Sequence, residues 1–157
     1  MSYKLHQLDF SVPSMQVIES IKNEDWSIFL NSNSKYYPDQ RFDILSAKPK
    51  KKIIFSDDNT YLINGDQQPK KSELCPFDLL KKIMSEYKSD SNPEIPFSGG
   101  AIGYISYDYG NYLHDIKNKN ECFSHPLFAF GIYDWAIIYD YAQEKSFLLY
   151  HEKNSVT

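Results

Sequence analysis

A chain of 157 residues, 41% of them hydrophobic, is sized for one domain with a packed core. Its formal charge of −4 argues against a dedicated duplex-DNA binder, because phosphate recognition is built from a surplus of Lys and Arg. No apolar run approaches the ~20 residues that cross a bilayer, and Met1–Phe10 lacks the parts of a signal peptide, so a cytoplasmic, membrane-free protein is expected.

In chain order, Tyr3–Phe10 reads as a first strand. Ser11, Val12 and Pro13 open a short helix whose Val17, Ile18 and Ile21 recur at helical spacing. Trp26–Leu30 reads as a buried strand, Asn31–Gln40 as a polar loop, and Arg41–Ala47 as a further strand. Ile53–Phe55 and Thr60–Ile63 flank Ser56-Asp57-Asp58-Asn59, a hairpin signal. After a polar connection from Asn64 to Glu73, Pro76–Tyr87 is the strongest helix, with Phe77, Leu80, Ile83, Met84 and Tyr87 on one face. Lys88–Glu94 is a linker, and a strand follows the glycines at 99–103. Beyond a polar loop (Leu113–Ser124), Phe128–Tyr141 and Ser146–His151 make a final hairpin. The sum is about eight strands and two main helices in a single domain, residues 1–157. That is an α+β, mostly antiparallel, sandwich-like fold, not the strand–helix alternation of a parallel sheet.

Aromatic residues are 16% of the chain, led by 13 Tyr and 10 Phe, a bias that favours pleated sheet. Arg41 is the only arginine, so a position that needs a planar, permanently charged fork is one reading of it and chance the other. Cys75 and Cys122, with His6, His114, His125 and His151, fall in no metal-ligand spacing, and the two cysteines read as reduced thiols. No metal site is expected.

The run Gly99-Gly100-Ala101-Ile102-Gly103 feeds strand-forming residues, not a helix, and carries no Gly-Lys-Ser/Thr ending, so it is not read as a phosphate loop. Glycines placed so let a backbone or a bulky ring come close. The Tyr-rich segments carry Asp108, Asp134 and Asp140 in place of lysines, which disfavours a single-strand nucleic-acid platform. No nucleophile–base or carboxylate pair stands out, so no catalytic residue is assigned. One loop differs. Ser32, Arg41 and the rings around them suit a small amphipathic ligand, with Ser32 and Arg41 for its carboxylate. The same residues also suit an ordinary loop in which Arg41 pairs with Asp43 or Asp39.

Three blocks carry a resemblance: residues 37–49 (Tyr-Pro-Asp-Gln-Arg-Phe-Asp-Ile-Leu-Ser-Ala-Lys-Pro), residues 96–108 (Pro-Phe-Ser-Gly-Gly-Ala-Ile-Gly-Tyr-Ile-Ser-Tyr-Asp), and residues 131–140 (Gly-Ile-Tyr-Asp-Trp-Ala-Ile-Ile-Tyr-Asp). In order and spacing they resemble the N-terminal region of component I of aminodeoxychorismate synthase, with the middle block shared by anthranilate synthase relatives. The resemblance implies a non-catalytic part of a larger enzyme. Its chorismate-binding C-terminal region, with the magnesium ligands, is expected to be absent, and no Pro-Ile-Lys-Gly-Thr segment occurs here. The intact enzyme would make 4-amino-4-deoxychorismate from chorismate, with ammonia from a glutamine amidotransferase subunit. It also implies a pocket for L-tryptophan at Ser32, Arg41 and Phe42, with Asp39 and Gln40 nearby. Asp39, Asn31 and the Asp140-Tyr141 pair depart from the family pattern. A free-standing amino-acid-sensing or assembly domain, or the matching domain of an anthranilate synthase component I, is the alternative.

Overall fold

The computed structural model describes residues 3–8, 13–32, 36, 39–87, 94–116 and 125–151. Cys122, Tyr37 and Pro38 lie outside them. The chain divides into two compact units: Met1–Pro49, Tyr87–Gly100 and Tyr133–Thr157 form one, and Lys50–Glu86 with Ala101–Ile132 the other.

The first unit holds a five-stranded sheet of β1 (Tyr3–Gln7), β10 (Lys145–His151), β9 (Trp135–Asp140), β3 (Phe42–Ser46) and β2 (Ile28–Leu30), in that order. All its pairings are antiparallel, with Phe42 opposite Asp140 and Ile44 opposite Ile138. Since alternate side chains leave a strand on opposite faces, Phe42, Ile44, Ile138, Asp140, Phe147 and Leu149 share one face, and Asp43 and Tyr139 the other. On the first face Ala136, Ile138 and Leu149 form a core against which Tyr3, Phe42, Ile44, Ile95 and Phe97 pack. Helix α1 (Ser14–Ile21) follows Pro13, whose fixed φ of −53° suits a helix entry. The Tyr133 phenol is buried and donates to the Trp26 carbonyl at 2.9 Å. Burial pushes it up to about 12, with the Asp25 carboxylate acting in the same sense.

The second unit holds the sheet β6 (Lys70–Ser72), β5 (Asn59–Asn64), β4 (Lys51–Ser56), β8 (Phe128–Tyr133), β7 (Gly100–Ile105), in that order. The β4–β5 hairpin closes through Asp57 and Asp58, with φ of 49° and 57°, the left-handed pair that matches strand twist in a two-residue turn. Helix α2 (Pro76–Glu86) buries Pro76, Leu79 and Ile83. Helix α3 (Asp108–Leu113) buries Tyr109, whose ring meets Phe55 at 5.4 Å and Phe77 at 5.8 Å.

Two antiparallel sheets with three helices agree with the α+β, mostly antiparallel reading, but among the described residues ten strands replace about eight and three helices replace two. The extra elements have clear causes. Phe128–Tyr141 is not one strand: Asp134 interrupts it, and β8 and β9 join different sheets. Lys70–Ser72 pairs with Thr60–Leu62 despite its polar composition, because an edge strand needs only one neighbour. The α2 face is rotated from the expected one: Leu79 is buried while Phe77 is 46% exposed and contributes through its ring edges. Trp26 stands before β2, not within it, in a left-handed conformation.

The glycine run does what its spacing suggests. A Cβ at Gly103 would lie 2.0 Å from the Ala129 carbonyl oxygen, so only glycine lets β7 approach β8. Gly99, at φ 91°, has the His151 imidazole where its side chain would be. The Nε2 of that ring lies 2.7 Å from the Ser98 carbonyl.

Candidate functional site

Asn31 and Ser32 follow β2 and Gln40 leads into β3, and this end of the first sheet gathers most of the singled-out residues. Arg41 stands just before β3 and reaches across to β9. Its Nε donates to Asp140 Oδ1 at 2.9 Å and its Nη2 to Asp140 Oδ2 at 2.7 Å, a two-pronged pairing only a guanidinium makes. The Asp140 carboxylate also accepts from the Ala142 amide at 2.9 Å. The hydrogen bonds from Arg41 hold Asp140 below the usual carboxylate range, outweighing the burial that opposes them. Asp140 in turn raises Arg41 above its ordinary value. The guanidinium carbon lies 4.6 Å from the centre of the Phe42 ring, a cation–π contact. The Arg41 side chain remains 42% exposed. Its partner is thus neither Asp43 nor Asp39.

Ser32 belongs to a different cluster. Its amide donates to Asp43 Oδ1 at 2.7 Å and its hydroxyl to the same oxygen at 3.0 Å. Asp43 is fully buried and takes three further hydrogen bonds on Oδ2: from Tyr141 OH at 2.8 Å, Asn31 Nδ2 at 3.0 Å, and the Ser14 hydroxyl. No cation is among these five donors. Because Phe42 and Asp43 leave β3 on opposite faces, the residues proposed to share one pocket divide. Arg41 and Phe42 stand with Asp140, while Ser32 stands with Asp43 behind them. Asp39 and Gln40 lie exposed on the segment leading into Arg41.

Beside Phe42 and Asp140 opens a cleft of ≈ 170 Å³, walled by Leu5, Phe42, Ile138 and Phe147 from the sheet and by Ile95 and Pro96 from the segment laid over it. Asp140, Glu94 and Gln143 also line it. Its walls are mainly apolar, Arg41 is held beside it by Asp140, and its volume falls below the ~300–1,000 Å³ of sites for larger ligands. Among the described residues no group of three or more His, Cys, Asp or Glu could hold a metal ion, and no helix is long and apolar enough to cross a membrane.

Asp43, Tyr141, Asn31 and Ser14 were not legible as a cluster. The available signal was Asp43 itself, an acid alternating with Phe42 and Ile44 in an otherwise apolar strand, which must find donors if it is buried.

The chain is 28% identical over 129 residues to aminodeoxychorismate synthase component 1 of Escherichia coli (strain K12), covering 80% of this chain and 28% of that protein. It is 30% identical over 130 residues to anthranilate synthase component 1 of Lactococcus lactis, covering 82% of this chain and 27% of that one. Its homologues are the component 1 chains of these two synthases. A further component 1 relative is the aminodeoxychorismate synthase of Bacillus subtilis (strain 168), 29% identical over 73% of this chain and 25% of its own length. The crystal structure of anthranilate synthase component I from Streptococcus pneumoniae TIGR4 superposes with a TM-score of 0.61 at 23% identity, covering 97% of this chain and 32% of that one, so component 1 architecture extends over nearly all of the present fold. The chain spans about 28% of the length of the curated relatives it matches first. No family model matches it.

Proposed function

We propose that the chain is a non-catalytic scaffold and tryptophan-pocket domain of an aminodeoxychorismate synthase component 1. The observation that carries this is the alignment of 80% of the chain with component 1 of that synthase, of which it spans 28%. In this reading the reacting groups, the magnesium site and the chorismate pocket belong to a C-terminal region of the same protein. A glutamine amidotransferase subunit supplies ammonia, and the intact assembly converts chorismate to 4-amino-4-deoxychorismate. The Arg41 end of the first sheet supplies the ligand site. The Arg41 Nη1 edge, turned away from Asp140, meets a carboxylate, and Phe42 with the cleft beside it takes the indole. Asp39 and Gln40 lie exposed on the segment leading into Arg41, while Ser32 is bound to Asp43 on the other face of the sheet.

Two measurements test this. Titration calorimetry with L-tryptophan should give heat that Arg41→Ala abolishes; a wild-type chain silent at millimolar ligand refutes the pocket. Incubation with chorismate, ammonia and magnesium should yield no product, and turnover by this chain would refute the non-catalytic role.

The 30% identity to an anthranilate synthase component 1 favours a second reading, the matching domain of that enzyme. The product made when the chain is joined to a complete component 1 catalytic region of its own genome, anthranilate or 4-amino-4-deoxychorismate, separates the two.

A further inference from the structure

We infer that Glu94 receives the α-ammonium group of a ligand seated in the cleft beside Phe42, so that the site selects amino acids over ring-bearing acids without the amine, an assignment that rests on the ligand site proposed above. The cleft is apolar apart from Glu94, Asp140 and Gln143, and no lysine, arginine or histidine is among the described residues that line it. Its two carboxylates are not equivalent. Asp140 is 1% exposed, and its oxygens take Nε and Nη2 of Arg41. Its Oδ1 also accepts from the Ala142 and Gln143 amides, 2.9 and 3.4 Å away. With those donors in place it has no room for an ammonium. Glu94 is exposed to solvent, so its carboxylate is within reach of an entering ligand.

The chain next to Glu94 holds it at the cleft. Ile95 precedes a proline, which restricts it to extended backbone. Ile95 and Phe97 pack against the core of Ala136, Ile138 and Leu149, and the Ser98 carbonyl stands 2.7 Å from the His151 ring. The segment is thus anchored along the sheet face, with Glu94 at its cleft end. Arg41 is kept charged by its hydrogen bonds to Asp140 and, in smaller measure, by the Glu94 carboxylate, so guanidinium and acid are close enough to feel each other. That pairing of charges matches a zwitterion. The ammonium and carboxylate of an α-amino acid share one carbon, so a ligand carboxylate on Arg41 brings its ammonium next to that cation. Like charge would expel the ammonium unless an acid stood beside it. A ligand with the carboxylate alone meets the opposite penalty, since Glu94 then repels it. A cleft of ≈ 170 Å³ takes the ring and leaves the charged head at its mouth, where Arg41 and Glu94 are exposed.

Titration calorimetry on the intact chain tests this with two probes, L-tryptophan and indole-3-propionate, which keeps the ring and carboxylate and lacks the amine. Wild type should bind tryptophan about tenfold tighter, the size of one hydrogen bond to a charged group. Glu94→Gln should erase most of that lead, by weakening tryptophan and strengthening the acid, and Glu94→Asp should restore part of it. The circular dichroism spectrum should stay unchanged, because the substituted side chain is exposed. Indole-3-propionate binding wild type as tightly as tryptophan overturns the inference, as does a lead that survives Glu94→Gln. If either occurs while Arg41→Ala still abolishes tryptophan binding, the pocket stands and the role of Glu94 alone falls. If neither probe binds wild type at millimolar concentration, both fall together.

Discussion

Asp43 on β3 and Asp140 on β9 are both hidden from solvent in the same sheet, one register step apart, yet their charges are met by different means. Asp140 is answered by one half-exposed guanidinium arriving from the strand entrance, plus the backbone of the turn that follows it. Asp43 is answered by five uncharged donors from four residues on three separate stretches of chain. A single cation can be drawn away by a competing anion, whereas a distributed shell cannot be dismantled by any one ligand. The Arg41–Asp140 pair is therefore the one a competing anion can open, while the Asp43 side ties Ser14, Asn31, Ser32 and Tyr141 to β3.

The largest effect should come from emptying the distributed shell. Asp43→Ala strands donors from α1, the 31–32 segment and Tyr141, and should cost about 3 kcal/mol in urea unfolding. A loss near zero would mean the donors find water readily and the shell is not structural. Removing one donor is milder: Tyr141→Phe should cost about 1 kcal/mol, with four hydrogen bonds left in place.

For the paired carboxylate the signature is in pH. Asp140 is held below its unfolded value of ~3.9, so the pair adds stability above that pH, and the contribution drains away as pH falls through the lower, folded value. Arg41→Gln should flatten the acid limb of a stability–pH curve, and an unchanged limb would show the pairing to be energetically silent. The smallest effect is salt. Raising ionic strength to ~1 M shortens screening to ~3 Å and should weaken Arg41–Asp140, while Asp43→Ala responds to salt no differently from wild type.

The contrast also explains what the sequence made visible. The β4–β5 hairpin was legible because Asp57 and Asp58 encode their own turn, and the helix over 76–86 because its apolar spacing is local. The glycines announced close packing because nothing larger fits. The Asp134 break between β8 and β9 was hidden, since a lone Asp in the otherwise apolar run Phe128–Tyr139 also fits the solvent face of one strand, and strand pairing is chosen by neighbours far away in the chain. α3 was hidden too, being a single short turn-and-a-half of helix in a Tyr-rich stretch. The candidate site was half legible. Arg41 stood out by rarity, but Asp140 lies 99 positions away, and Ser32 and Phe42 are separated by a pleat that no linear spacing reveals.

The step from Tyr133 to Trp135 carries a consequence for anyone who would cut, lengthen or permute this polypeptide. A single residue joins two strands committed to different sheets, so adding or deleting one there would turn β9 over, exchanging Ala136, Ile138 and Asp140 for Ile137 and Tyr139. Insertions should be sought at the Asp57–Asp58 tip instead, and homologues are expected to vary in length there and hold it fixed at residue 134.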